Sequence, residues 1–380
     1  MEITWSLMHP TPLDPDYFER VLGEAEKHSV DGFELCGNCH DTYGGLDGCL
    51  DYAPYPSAAA KRDAEAVDAN IALAHETERP VLYWHREVIL PANLPEDAPE
   101  LLDANGEFDF FGDAFHRLID YKLKRFFEMC PGVDGLVLTL TEADYGVIHP
   151  SDPERFPPRE VVKTLVGAYL DRLEAMGKRF VLRSFGSVPE DYETILAAAE
   201  ALSRQYDFEV ETKVTPYDFV PFLEHNPFLR KTGNCRLGVE LDVVGEFLGA
   251  GYLPAFNGPK LADYVGRARE AGADRLSLRL DRVGSSVFAR GYRANLDIVH
   301  GAASDPEAKA KALAAAACRR HAPDAPEELS EILDLGRRAI LQTLYVDGNV
   351  LFHKTPVEPA LQWIQAGGFF GVLHGDFALA

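Results

Sequence analysis

The stretch LVLTLTEADYG, Leu136 to Gly146, opens with uncharged strand-forming residues and ends in Glu142, Asp144 and Tyr145. Carboxylates at the end of a buried run cost stability unless they are paired or used. Other segments close in the same way. FEVETKV (208–214) brings Lys213, with Asp218 shortly after it, and RLGVELDVV (236–244) carries Glu240 and Asp242 toward Glu246. PVLYWHREVI (80–89) holds Trp84, His85, Arg86 and Glu87, RFVLRSFG (179–186) holds Arg183, and RLSLRLDR (275–282) holds Arg279 and Asp281. EITWSLMH (2–9) ends at His9, and GFELCG (32–37) carries Glu34.

Sets of carboxylates suit glycoside hydrolysis. One protonated carboxyl gives its proton to the leaving oxygen, while an ionised one activates water or attacks the anomeric carbon. A neighbouring acid or an apolar wall would keep the first one protonated. Acidic and His residues at strand ends also bind divalent cations, so a metal-dependent sugar isomerase or epimerase is the competing enzyme class. A barrel that binds carbohydrate without turnover is the non-enzymatic alternative. Each charge also has a structural reading: Glu240 and Asp242 alternate with apolar residues and could pair with Arg279, and Arg86 with Glu87.

The eight segments alternate with helix-period stretches at 14–29, 57–78, 159–177, 188–204 and 258–273. Eight strands alternating with helices over about 280 residues is the pattern of a (β/α)8 TIM barrel, whose sites lie at the C-terminal ends of its strands. No Gly-rich phosphate turn follows the first strand, which argues against an open doubly wound sheet. The organisation predicted is a catalytic barrel over 1–300 and a short C-terminal helical extension over 301–380 packed on it. In the extension, DPEAKAKALAAAACRRHAP and APEELSEILDLGRRAILQTLYVDG read as helices, ahead of a Gly-rich aromatic tail.

The formal net charge is −24, from 61 acidic and 37 basic residues, which disfavours nucleic acid and anionic membranes as partners. No apolar run reaches the roughly 18 residues of a membrane span, and the N-terminus has neither a basic n-region nor an apolar h-region. A cytoplasmic protein is expected. Six cysteines make no disulfide framework in 380 residues. Cys36, Cys39 and His40 form a C-x-x-C-H pattern, read as reduced thiols in a loop with a local metal site as the alternative. No cofactor is expected.

The segment KVTPYDFVPFLEHNPFLRKTGNCRLGVELDVVGEFLG, Lys213 to Gly249, resembles the catalytic region of the family 67 glycoside hydrolases, the α-glucuronidases. In that family a Lys precedes a -DF- motif, an acidic-aliphatic strand follows, and the segment closes on E-[YF]-x-G. Here these are Lys213, Asp218-Phe219, Glu240 and the EFLG that begins at Glu246, with Asp218 and Glu246 28 residues apart. TLTEADYG resembles the family's general-acid element, and Arg183 matches an arginine at the end of its fifth strand. YRANLDIVHGAASDPEAKAKALA, with Asn295 and Asp305-Pro306, resembles its passage out of the barrel. The similarity covers roughly 130–320, and so only the barrel, without the N-terminal domain that family members carry ahead of it. Val220-Pro221-Phe222 replaces the family's -REP-, and Ala143-Asp144 stands where the family has a glycine.

The resemblance implies an exo-acting, inverting hydrolase that removes a terminal uronic or other acidic sugar from an oligosaccharide or glycoside. Glu142 would be the general acid, and Asp218 and Glu246 would hold and deprotonate the attacking water. Inversion places acid and base roughly 6.5–9.5 Å apart. Lys213 and Arg183 would neutralise a substrate carboxylate, and Trp84 would stack on a sugar, with His85, Arg86, Tyr145 and Glu240 completing the substrate pocket. The family's helical C-terminal domain often forms a dimer interface, so a homodimer is the assembly the resemblance suggests.

Overall fold

In the computed structural model of the chain the strands are β1 (Glu2–Met8), β2 (Gly32–Cys36), β3 (Val81–Arg86), β4 (Gly135–Thr139), β5 (Arg179–Arg183), β6 (Glu209–Lys213), β7 (Arg236–Asp242) and β8 (Arg275–Leu280). They follow one another in chain order around a closed, parallel barrel. The structure describes residues 1–8, 14–36, 58–89, 98–141, 143, 146–186, 188–216, 218–219, 226–229, 232–243, 245, 257–280, 290–346 and 349–350.

The helices of the described residues are α1 (Pro15–Ala25), α2 (Ala58–Glu76), α3 (Asp113–Met129), α4 (Pro158–Ala175), α5 (Pro189–Leu202), α6 (Gly258–Ala271), α7 (Arg290–Ser304), α8 (Ala310–His321) and α9 (Pro326–Leu344). The expected (β/α)8 TIM barrel with extra C-terminal helices is therefore present. Two further helices of the expected alternation, α3 and α7, follow β3 and β8, and no helix is described between β6 and β7. β9 (Tyr345–Val346) and β10 (Asn349–Val350) pair antiparallel after α9.

By Cα packing the chain divides into two units. One is Glu2–Thr212 with Lys231–Gly238; the other is Lys213–Arg230 with Val239–Ala380, together with Met1.

Local chemistry explains the elements of the first unit. Asp14 caps α1 by accepting from the Tyr17 amide at 3.0 Å, and Pro15 supplies a first helical residue that has no amide to satisfy. The buried face of α1, Phe18, Val21, Leu22 and Ala25, recurs at helical spacing. Phe18 meets Phe33 of β2 edge-on at 5.4 Å, and Tyr83 of β3 meets Phe126 of α3 at 5.2 Å. Residues of the opposite parity, Leu82, Trp84, Val137 and Val181, cluster with Cys36 on the other face of the strands. Both faces are thus buried, and period-two alternation decides which side a residue serves.

Two glycines make opposite predictions. A Cβ on Gly135 would collide with the Arg179 backbone carbonyl and come within 2.7 Å of the Arg179 Cβ, where β4 runs beside β5. Gly23, inside α1, has nothing within 4 Å of that position. Gly135→Ala should cost ~2 kcal/mol or more, because the colliding atom is backbone. Gly23→Ala should gain ~0.5–1 kcal/mol. Urea denaturation of both variants measures the two signs.

Candidate functional site

Trp84, on β3, is the centre of the polar cluster in the first unit. Its indole Nε1 donates to Thr139 Oγ1 at 2.6 Å, and the Arg183 guanidinium carbon lies 4.1 Å from its ring centroid. Arg183 also donates from Nη1 to Thr139 Oγ1 at 3.3 Å and from Nε to Glu211 Oε1 at 3.0 Å. Arg183 and Glu211 are register partners on β5 and β6, which places opposite charges on neighbouring strands. Arg86 approaches the same indole at 5.6 Å. Cation–π attraction and the two shared hydrogen bonds hold these side chains as one polar group. The indole face that Arg183 covers is not open to a sugar ring.

His85 does not join this group. It points to the helix side, where its ring stacks on Tyr169 of α4 at 6.5 Å and its Nε2 lies 3.0 Å from Glu87 Oε1. The carboxylate can only accept, so Nε2 carries the hydrogen. Glu87 is fully buried, and Lys122 of α3 donates to its two oxygens at 2.6 and 2.7 Å. Tyr169 Oη donates to Glu87 as well. Burial alone would raise the Glu87 pKa, but the Lys122 ammonium and His85 outweigh it and hold it at about 2, below its ordinary 4.5. These residues tie the end of β3 to α3 and α4.

In the second unit, Lys213 Nζ donates to Asp218 Oδ1 at 2.7 Å, and the Phe219 amide donates to the same oxygen at 3.0 Å. Phe219 lies between two cations, Lys213 Nζ at 4.8 Å and the Arg279 guanidinium at 5.2 Å from its centroid. Arg279 donates from Nε to Glu240 Oε1 at 3.0 Å. The Asn226 Nδ2 donates to the Lys213 carbonyl at the end of β6 at 3.0 Å, and its Oδ1 accepts from the Phe228 amide at 2.9 Å. Lys213, Asp218 and Glu240 are thus brought into one network around Phe219.

Two tyrosines that no strand-end pattern singles out, Tyr292 and Tyr345, stand near Asp242. Burial and Asp242 push the Tyr292 hydroxyl up. Burial, then Asp242 and Asp218, do the same to Tyr345. The expected final helix ends at Leu344, and Tyr345 begins β9 instead. The sequence signal was Asp347-Gly348, a hairpin dipeptide that a reading as continuous helix passes over.

Glu142, Tyr145 and Glu246 lie outside the described residues, as do Asp144, Cys39 and His40. β4 ends at Thr139. Among the described residues no group of three or more His, Cys, Asp or Glu side chains is placed to hold a metal ion. No helix of the described residues is long and apolar enough to cross a membrane.

No protein-family model matches the chain, so the likeness to family 67 rests on the motif residues alone. No curated protein matches it. Among solved structures, a GH138 enzyme targeting pectin rhamnogalacturonan II is similar with a TM-score of 0.51 at 12% identity, over 77% of this chain and 35% of that one. A mutant of Kfla1895 in complex with cyclobis-(1→6)-α-nigerosyl gives a TM-score of 0.44 at 11% identity, over 90% of this chain and 49% of that one. What the chain shares with the GH138 enzyme is the barrel. The chain spans about a third of the first structure's length and about half of the second's.

The Glu87 cluster predicts an acid-sensitive anchor. A carboxyl whose pKa falls on folding contributes stability that is complete above its unfolded value, near 4.5, and lost as pH drops toward about 2. The contribution is on the order of 3 kcal/mol at neutral pH. Glu87→Gln should therefore be less stable than the parent at pH 7, with the gap closing toward pH 2. Urea midpoints measured across that range test it, and a pH-independent gap would count against it.

Proposed function

We propose that the chain is a glycoside hydrolase that removes a terminal acidic sugar with inversion of configuration. The observation that carries this reading is the Lys213–Asp218 pair beside Phe219. It fixes a carboxylate just past the end of β6, the region where barrel enzymes hold their reacting groups. The Lys213 ammonium at 2.7 Å and the Phe219 amide hold this carboxylate in place.

In this reading Glu142 protonates the glycosidic oxygen, and Asp218 with Glu246 holds and deprotonates the attacking water. Phe219 holds Lys213 and Arg279 near one another, two cations that suit a sugar carrying a carboxylate. Lys213 and Arg183 serve the substrate's acid group while keeping Asp218 and Glu211 in place. Arg86, Tyr145 and Glu240 are assigned to substrate contact in the same reading. His85 acts from behind the strand, through Glu87. Support for a carbohydrate substrate also comes from the barrel shared with the GH138 enzyme, which targets pectin rhamnogalacturonan II.

Proton NMR of acidic oligosaccharides and aryl glycosides incubated with the protein tests the reaction directly. The product that forms first should have inverted configuration, and retained configuration overturns the water-activation scheme. Glu142→Gln, Asp218→Asn and Glu246→Gln should each lower kcat by at least ~100-fold, with melting temperatures near the parent's. Normal turnover in Glu142→Gln and Glu246→Gln would sink the assignment. Lys213→Met should raise KM for an acidic glycoside more than for its neutral counterpart; equal effects would remove the acidic-sugar part of the proposal.

A further inference from the structure

A cavity lies wholly within the Val239–Ala380 part of the chain. It has a volume of about 720 Å³ and is bounded by the start of α6 and by the pair α8 and α9. That volume suits a metabolite-sized ligand. Its floor is apolar, with Ala314 and Cys318 of α8 both buried. Burial pushes the Cys318 thiol up, so the floor stays uncharged at neutral pH.

Four cations stand around this floor: Lys260 on α6, Lys311 and Arg319 on α8, and Arg337 on α9. Lys311, Arg319 and Arg337 make no ion pair with any described residue. Neighbouring acids are engaged elsewhere. Asp297 takes Arg320 at 2.8 Å and His321 at 2.9 Å, which leaves Arg319, the third basic residue of the last turn of α8, for the cavity. Of the two lining carboxylates, Asp334 pairs with Arg338 at 3.0 Å, which leaves Glu327 beside Lys311, Arg319 and Arg337. In a chain with a net charge of −24, this is a local reversal of sign.

Two further features favour a polar, anionic occupant. The cavity reaches Asn257 at the head of α6, where the helix dipole attracts negative charge. The Asn257 Oδ1 is buried without a hydrogen-bond partner among the described residues, which is costly unless a ligand or water supplies a donor.

We propose that the cavity between α6, α8 and α9 binds a small organic anion carrying at least two negative charges, as a phosphate ester or as a carboxylate-bearing oligosaccharide. Its charged groups meet Lys311, Arg319 and Arg337, and its uncharged part lies on Ala314 and Cys318. The assignment is independent of the proposed hydrolase, because it uses none of the residues at the strand ends.

Calorimetric titration of the full chain at low ionic strength, with inorganic pyrophosphate and separately with trigalacturonate, tests it. At least one probe should bind saturably with a Kd of ~1 mM or tighter, weakened at least ~10-fold in Lys311→Glu/Arg337→Glu. Pyrophosphate alone would identify the phosphate source, and trigalacturonate alone the carboxylate source. Trigalacturonate bound at the strand ends would keep its affinity in the double variant, so only the component lost there supports the cavity. Absence of saturable binding for both probes, or undiminished binding in the variant, overturns the proposal. Should the double variant melt well below the parent, Arg337→Gln is read instead, with ~3-fold weakening or more expected and no change overturning.

Discussion

Charge buried inside a closed parallel barrel must find its counter-charge there. The strands have helices on one face and one another's side chains on the other, so no water reaches most of their polar groups. The structure answers with local pairs: Arg183 with Glu211, Arg279 with Glu240, and Lys213 with Asp218. Such pairs add little net stability over apolar residues of the same shape, yet losing one partner costs about 3–5 kcal/mol because a bare charge remains. Each pair therefore fixes its members tightly without being the reason the barrel is stable. That is the property a reaction site needs, since a reacting group held to within a fraction of an ångström keeps its orientation as charge develops.

Aromatic rings extend these pairs into networks. Arg183 binds Glu211 through one nitrogen and lies over Trp84, while Thr139 accepts from both Arg183 and the indole. Phe219 has the same relation to Lys213 and Arg279. A guanidinium over a ring gains a second favourable contact beside its carboxylate, so its plane is fixed by both partners. Behind β3, Glu87 joins Lys122, His85 and Tyr169, so the strand that carries Trp84 is anchored to two helices by charge as well as by packing.

Much of this was legible in the sequence because parallel strands buried on both faces read as continuous apolar runs, and their polar ends stand out against them. The eight strands, Trp84, Arg183, Lys213, Asp218 and Glu240 all follow from that contrast. Inside and outside were harder to separate. Trp84, His85, Arg86 and Glu87 look alike as a polar cluster, and only strict alternation sends His85 and Glu87 to the helix layer. Helix α3 was obscured because Lys122 occupies one of its buried positions, which breaks the apolar stripe. The partner that makes this burial tolerable, Glu87, lies 35 residues away, and no local pattern shows such a pairing. Tyr345 was hidden for a related reason: its neighbours Asp242 and Asp218 are far from it in sequence.

The distribution of cations separates two kinds of work in an acidic chain. At the strand ends Arg183, Lys213 and Arg279 are each matched by a carboxylate, and matched charges hold geometry. Around the α6, α8 and α9 cavity Lys311, Arg319 and Arg337 are unmatched among the described residues. Unmatched cations held near one another repel, and an anion from solution relieves that repulsion while the helix dipole of α6 adds to its attraction. Pairing in the barrel thus holds geometry, while the unmatched cations around the cavity are what the proposed anion would meet. The net charge of −24 sharpens the contrast between these cations and the rest of the chain.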